Sequence, residues 1–141
     1  MPRAFEYRHV VGFEETNLTG NVYYVNHLRW QGRCRETFLQ RYAPEVLEEL
    51  NNGLALVTIG CSCEYLDELF AFDEILISMR IAALTRNRVT MEFEYFRLAR
   101  EARELVARGM QQIASMRRGP EGMAPAPLPE SLRIALEEFW R

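Results

Sequence analysis

The residue pattern predicts an α+β fold, with one long two-faced helix packed against a five-stranded antiparallel sheet. Three observations carry that prediction. Residues 26–42 place apolar side chains at three- and four-residue spacing on two faces, a helical period. Five other segments have the length and the alternating or β-branched character of strands. Polar stretches at 85–88 and 99–102 have hairpin length, which makes the neighbouring strands antiparallel.

At 141 residues the chain is one domain, able to bury roughly two-thirds of its unfolded surface. Nearly half hydrophobic (48%) and about a quarter charged (26%), it has the composition of a soluble globular protein. The net charge of −3 argues against nucleic acid as a partner, since phosphate binding favours a basic surface. The opening MPRAFEYRHV has no apolar signal core, and no apolar run approaches the roughly 18 residues of a membrane span. A cytoplasmic protein with no membrane contact is expected. Its cysteines, Cys34, Cys61 and Cys63, are read as free thiols with structural roles. The C-x-C pair has no further ligand nearby, so neither a metal nor a cofactor is expected.

Phe5, Tyr7, His9, Val11 and Phe13 alternate with other residues, giving a first strand with an aromatic inner face. Glu14 to Gly20 is a polar loop with turn formers at Asn17 and Gly20. Asn26 is the expected N-cap of the long helix. One face carries Leu28, Gln31, Arg35, Leu39 and Tyr42, and the other Trp30, Cys34 and Phe38. Gly32 costs about 1 kcal/mol against alanine inside a helix, and a close approach to the sheet is the expected reason for it. Pro44 to Leu50 forms a short second helix, stopped by Asn51-Asn52-Gly53. Strands follow over 54–65, 72–84, 89–95 and 104–116. The segment 119–129, with four prolines, is a linker or an ordered extended arm. Pro129 opens a last helix whose stripe of Leu132, Leu136, Phe139 and Trp140 needs a surface, in its own domain or a neighbouring subunit.

A two-faced helix wrapped by a curved sheet is the hot-dog fold, expected over residues 1–118, with 119–141 as a Pro-rich arm and amphipathic helix. Such a sheet has open edges, and joining two edges would satisfy their hydrogen-bonding groups. A homo-oligomer is therefore expected, either a dimer or a dimer of dimers (a homotetramer).

The run Phe13, Glu15-Thr16-Asn17, Gly20, Val22-Tyr23-Tyr24, Val25, Asn26 resembles the hot-dog thioesterases of the 4-hydroxybenzoyl-CoA thioesterase type. Their pattern is an aromatic residue, Asp-x-Asp, two residues, Gly, and Val-Tyr-Tyr-x-Asn-Tyr. Two departures matter. Asn17 stands where the family's catalytic carboxylate is expected, and Gly32 stands about where related subgroups place a helix glutamate. With GNVYYVN followed by LRWQGRCRE, the sequence is similar to the thioesterases of enediyne polyketide biosynthesis. That resemblance implies hydrolysis of a polyene β-ketoacyl chain from the acyl carrier protein domain of an iterative polyketide synthase, with possible decarboxylation afterwards. It implies Asn17, Arg35 and the backbone N–H of Tyr24 as the catalytic groups, the last as oxyanion donor. It also implies substrate contacts from Gly20, Tyr23, His27 and Thr58, with His27 in place of the commoner Tyr.

The residues themselves leave alternatives. Asn17 neither ionises nor attacks, so it holds water or a carbonyl by hydrogen bonds, or simply forms the turn. Arg35 on a buried helix must meet an acid, carbonyls or a substrate. Facing substrate, it would stabilise an oxyanion or enolate; otherwise it belongs to an internal ion pair. Arg33 is the competing arginine. Thr58 lines the pocket or is only a β-former, and His9 fits the core better than catalysis. Phe5, Tyr23, Phe70 and Phe72 line an acyl channel or fill the core, and Arg86, Arg88, Arg97 and Arg100 are candidates for a carrier-protein patch. Competing functions are a general acyl-CoA thioesterase, a non-catalytic acyl-binding protein, and a dehydratase built on His9 and Glu36.

Overall fold

The computed structural model describes residues 3–140. In order the elements are β1 (Phe5–Val10), a 3₁₀ turn (Phe13–Glu15), α1 (Val25–Tyr42), α2 (Glu45–Leu50), β2 (Leu54–Tyr65), β3 (Glu74–Leu84), β4 (Arg88–Leu98), β5 (Arg103–Gly119), β6 (Gly122–Pro125) and α3 (Glu130–Glu137). The antiparallel sheet runs β1-β3-β4-β5-β2, with the short β6 paired to β5. This is the α+β hot-dog architecture, with a sixth strand that the arm's prolines and glycines conceal.

Alternation decides which face is inside. Ile75, Ile77, Met79 and Ile81 of β3 are fully buried, and Ile77, Met79 and Ile81 pair in register with the equally buried Tyr95, Phe93 and Met91 of β4. Against this face α1 lays Trp30, Cys34 and Phe38, each no more than 2% exposed. Burial of side chains of this size stabilises by about 1.5–3 kcal/mol apiece. Tyr42 and Phe139 extend the core through edge-to-face contacts with Phe5, and Phe139 also with Phe38, against which Tyr42 lies tilted.

Several boundaries differ from the sequence expectation. β1 stops at Val10 rather than Phe13, because the Gly12 N–H bonds the Glu15 carboxylate at 2.8 Å and turns the chain. Asn26 is inside α1 and does not cap it: its Nδ2 donates to the Glu15 carbonyl at 2.8 Å. β3 starts at Glu74, after Phe72 has taken a left-handed φ of 73° that breaks the strand. A Cβ on Gly32 would meet nothing within 4 Å, so close approach is not its reason. The close approach is at Gly109 of β5, where a Cβ would collide with the Gln31 amide nitrogen and lie 3.0 Å from the Ser62 carbonyl.

Residues 119–140 fold back on their own domain. β6 pairs with β5, the Ala126 N–H bonds Ser115 O at 3.1 Å, and the Leu128 N–H bonds Arg86 O at 2.9 Å. Beyond α3, the Ile81 N–H bonds Phe139 O at 2.9 Å. Leu132, Leu136 and Phe139 are buried, while Trp140 is half exposed. Among the described residues no helix is long and apolar enough to cross a membrane.

Candidate active site

The loop ahead of α1 is built around one carboxylate. Glu15 accepts hydrogen bonds from Gly12 N–H (2.8 Å), His9 Nε2 (2.7 Å) and Trp30 Nε1 (2.7 Å). Burial pushes its pKa up, but these three donors outweigh burial and hold it below its ordinary value. The Glu15 carbonyl accepts from the Tyr23 N–H at 2.9 Å and from Asn26, which ties the loop to the start of the helix. Glu15 occupies the first acidic position of the motif, and no role was assigned to it from sequence. With both oxygens engaged, it organises the loop rather than offering a free base.

Asn17 lies at the exposed tip of this loop, in a turn closed by the Gly20 N–H bonding Asn17 O at 2.9 Å; Gly20 has φ 90°, which glycine adopts without strain. The orientation of the Asn17 amide follows from its neighbours. The Thr19 N–H, a donor only, is 3.0 Å away, so the facing atom is Oδ1, and the Thr19 hydroxyl lies 2.7 Å from the same atom. The Nδ2 is left with no acceptor among the described residues. Asn17 therefore offers donors, not a base.

At the start of α1 the Tyr24 N–H likewise has no acceptor among the described residues, and no side chain caps the helix. This is the positive end of an 18-residue helix. The carbonyls behind it are pinned: Tyr65 OH donates to Tyr24 O at 2.7 Å and Tyr95 OH to His27 O at 2.7 Å. Burial pushes Tyr65 up to about 12 and raises Tyr95 as well, so both phenols remain donors. Tyr23 is half exposed and packs on Tyr24, with ring centroids 4.9 Å apart. His27 is 3% exposed, between the rings of Trp30, Tyr65 and Tyr95, and among the described residues neither ring nitrogen has a partner in good hydrogen-bond geometry. Burial pulls its pKa down to about 4, so it is neutral at physiological pH.

Arg35 sits three turns further along α1, half buried. Its Nη1 donates to Gln111 Oε1 at 2.9 Å and Thr58 Oγ1 at 3.3 Å. Both partners are neutral, and Arg35 forms no ion pair among the described residues. Burial draws its pKa below the ordinary guanidinium value, with the nearby Glu36 charge opposing; the side chain nevertheless stays charged. Arg33 is different: it lies in an exposed pair with Glu36 at 2.9 Å. The internal ion pair considered for Arg35 is thus absent, and Arg33 is the arginine that has a carboxylate.

Gln111, Thr58's companion, was missed. The signal was a polar residue in register with the buried Met91, at a position where alternation calls for an apolar one. Other candidates fall elsewhere. His9 is bonded to Glu15 while Glu36 is bonded to Arg33, so the dehydratase pairing does not form. Phe5 is in the core, whereas Phe70 and Phe72 are exposed. Arg97 is held by Asp67, Glu104 and the Glu68 carbonyl, which removes it from any free basic patch. A surface concavity of ≈ 680 Å³ lies around Arg80, Glu94 and Arg108, away from these groups. Burial raises the Cys34 thiol and pushes Cys63 up to about 11, so neither is a thiolate nucleophile. Among the described residues no three His, Cys, Asp or Glu side chains are grouped to hold a metal ion.

A family model described as the thioesterase-like superfamily matches residues 11–136. The chain belongs to that superfamily. The dynemicin thioesterase, described as showing induced fit and allosteric effects on polyene binding, is 44% identical to this thioesterase, with TM-score 0.95 and 98% of each chain covered. A 4-hydroxybenzoyl-CoA thioesterase shares the fold at 16% identity, TM-score 0.82, over 97% of this chain and 99% of that one. A putative esterase of Aquifex aeolicus is 29% identical over 66% of this chain and 73% of its own length. Thioester hydrolysis is the activity class these relationships support.

Proposed function

We propose that this thioesterase releases a β-ketoacyl chain, of the polyene type made in enediyne biosynthesis, from the acyl carrier protein domain of a polyketide synthase. The observation that carries the proposal is Arg35: a half-buried cation whose hydrogen-bond partners among the described residues are the neutral Thr58 and Gln111. Such a group favours an incoming oxyanion or enolate. The 44% identity to the dynemicin thioesterase supports the substrate class.

Asn17 and Tyr24 supply donors and no base, which suits an electrophilic β-ketoacyl thioester whose developing charge delocalises. Donors hold the thioester oxygen, and water attacks without being deprotonated by a side chain. Gly20 sets the turn, while Tyr23, His27 and Thr58 shape the substrate's surroundings. Tyr24 and Arg35 are eleven residues apart, roughly 16 Å along one helix. They cannot both reach one carbonyl within a single chain. The reading therefore includes a homodimer, formed through the sheet edge at β2, in which the loop of one copy faces Arg35 of the other. The released β-keto acid can then lose CO₂ in the pocket or in solution.

The test is incubation with carrier-bound β-ketoacyl chains and with the matching acyl-CoA, following free thiol and product acid. Release from the carrier in preference to acyl-CoA is expected. Equal turnover of simple acyl-CoA would replace this reading with a general acyl-CoA thioesterase. Tight retention without thiol release would replace it with a binding protein.

A further inference from the structure

Between the second half of α1 and the sheet lies a narrow apolar slot. It is lined by Arg35, Phe38, Leu39, Leu56, Val89, Met91, Ile113, Leu128, Leu132 and Leu136, and Arg35 is the one polar side chain among them. Its volume is ≈ 20 Å³, about the room of one water. Three of its walls are rigid core elements, α1, β2 and the β4–β5 pair. The fourth is Leu128, Leu132 and Leu136, from the arm and α3.

That fourth wall is attached differently from the others. α3 is fastened by backbone hydrogen bonds just before it, Leu128 N–H to Arg86 O at 2.9 Å, and just after it, Ile81 N–H to Phe139 O at 2.9 Å. Phe139, packed edge-to-face on Phe5 and Phe38, anchors the far end. Between these fastenings the helix rests on the slot through side chains alone. We propose that α3 is the end wall of the acyl-chain channel, and that Leu132 and Leu136 set the longest chain the enzyme accepts. A molecule with a polar reacting head and an apolar tail matches the slot: the head meets Arg35, and the tail runs under α3 by displacing these leucines. This rests on the thioesterase mechanism above for the placement of the head, and it gives the C-terminal helix a specificity role.

The experiment compares wild-type protein with Leu132→Ala, Leu136→Ala and Leu136→Phe, using a series of saturated acyl thioesters on the carrier protein from octanoyl to hexadecanoyl. The alanine variants are expected to raise the hexadecanoyl-to-octanoyl ratio of kcat/KM by about 15- to 60-fold, from the roughly two to three buried methylenes each opens. Leu136→Phe is expected to lower the same ratio. Circular dichroism melting establishes that each variant folds, and Leu136→Val, a smaller truncation that still opens space, serves where alanine does not. A ratio unchanged in every folded variant overturns the proposal. Should the wild type hydrolyse no thioester, the functional reading fails and the slot is still testable. Binding of a conjugated tetraene fatty acid, followed by its fluorescence, would then strengthen in Leu136→Ala and weaken in Leu136→Phe. Identical binding in all folded variants overturns the end-wall assignment.

Discussion

His27 makes the acid stability of this protein a measurable consequence of one buried ring. The perturbation is His27→Phe, which keeps an aromatic group among Trp30, Tyr65 and Tyr95 and removes two nitrogens that make no well-formed hydrogen bond among the described residues. In the unfolded chain the imidazole titrates at its ordinary 6.5, and in the folded protein burial holds it at about 4. The unfolded state thus binds more protons between those values. The associated stability is fully present above 6.5 and is lost as pH falls toward 4. Lowering the pH from about 7 to about 5 should remove roughly 2 kcal/mol through His27 alone. Glu15 does not confuse the comparison, because its lowered pKa places its own loss below the ordinary carboxylate value of 4.5. Urea unfolding at the two pH values, at one protein concentration, gives the loss for each protein. Groups titrating alike in both proteins cancel in the difference. The loss should be smaller in His27→Phe by about 2 kcal/mol. Equal losses would refute the claim that His27 is buried neutral in the folded state.

Three further outcomes follow from the site and its supports. Arg35→Met and Asn17→Ala should each lower hydrolysis tens-fold or more while leaving the circular dichroism spectrum intact, and full activity in both would sink the mechanism. Glu15→Gln must turn its NH₂ toward either the Gly12 N–H or the Trp30 indole N–H, stranding a donor. A loss of about 1–3 kcal/mol in urea unfolding is expected. Gly109→Ala drives a Cβ into the Gln31 amide and should cost about 1–3 kcal/mol, read as a lowered Tm and partly restored by adding Gln31→Ala.

Sequence made the layer arrangement legible wherever burial imposes a period. Ile75 to Ile81, Val89 to Tyr95, and the Trp30–Cys34–Phe38 line all fall on the faces their spacing assigned. What escaped depends on partners distant in sequence. The 3₁₀ turn exists because Glu15 gathers Gly12, His9 and Trp30, and no local propensity encodes that convergence. Gly32 looked like the contact glycine because a helix interior disfavours it, while Gly109, unremarkable in a strand, is the one pressed by Gln31. β6 was hidden by composition: prolines suggest an extended arm, and only pairing with Met116 to Gly119 makes it a strand. In the candidate site the motif singled out Asn17, Tyr24 and Arg35. Gln111, which bonds Arg35 from 76 residues away, could be seen only as a polar residue out of step with its strand.

That Arg35 has no acidic partner among the described residues also bears on how turnover would end. A thioester is neutral, and its hydrolysis product is a carboxylate. In the proposed mechanism the same cation that favours the transition state therefore meets a newly formed anion in a poorly solvated place. The product leaves against that attraction, and loss of CO₂ from a β-keto acid would remove the charge that holds it. The free acid should then be a better inhibitor than its decarboxylated ketone, and Arg35→Met should erase the difference between them.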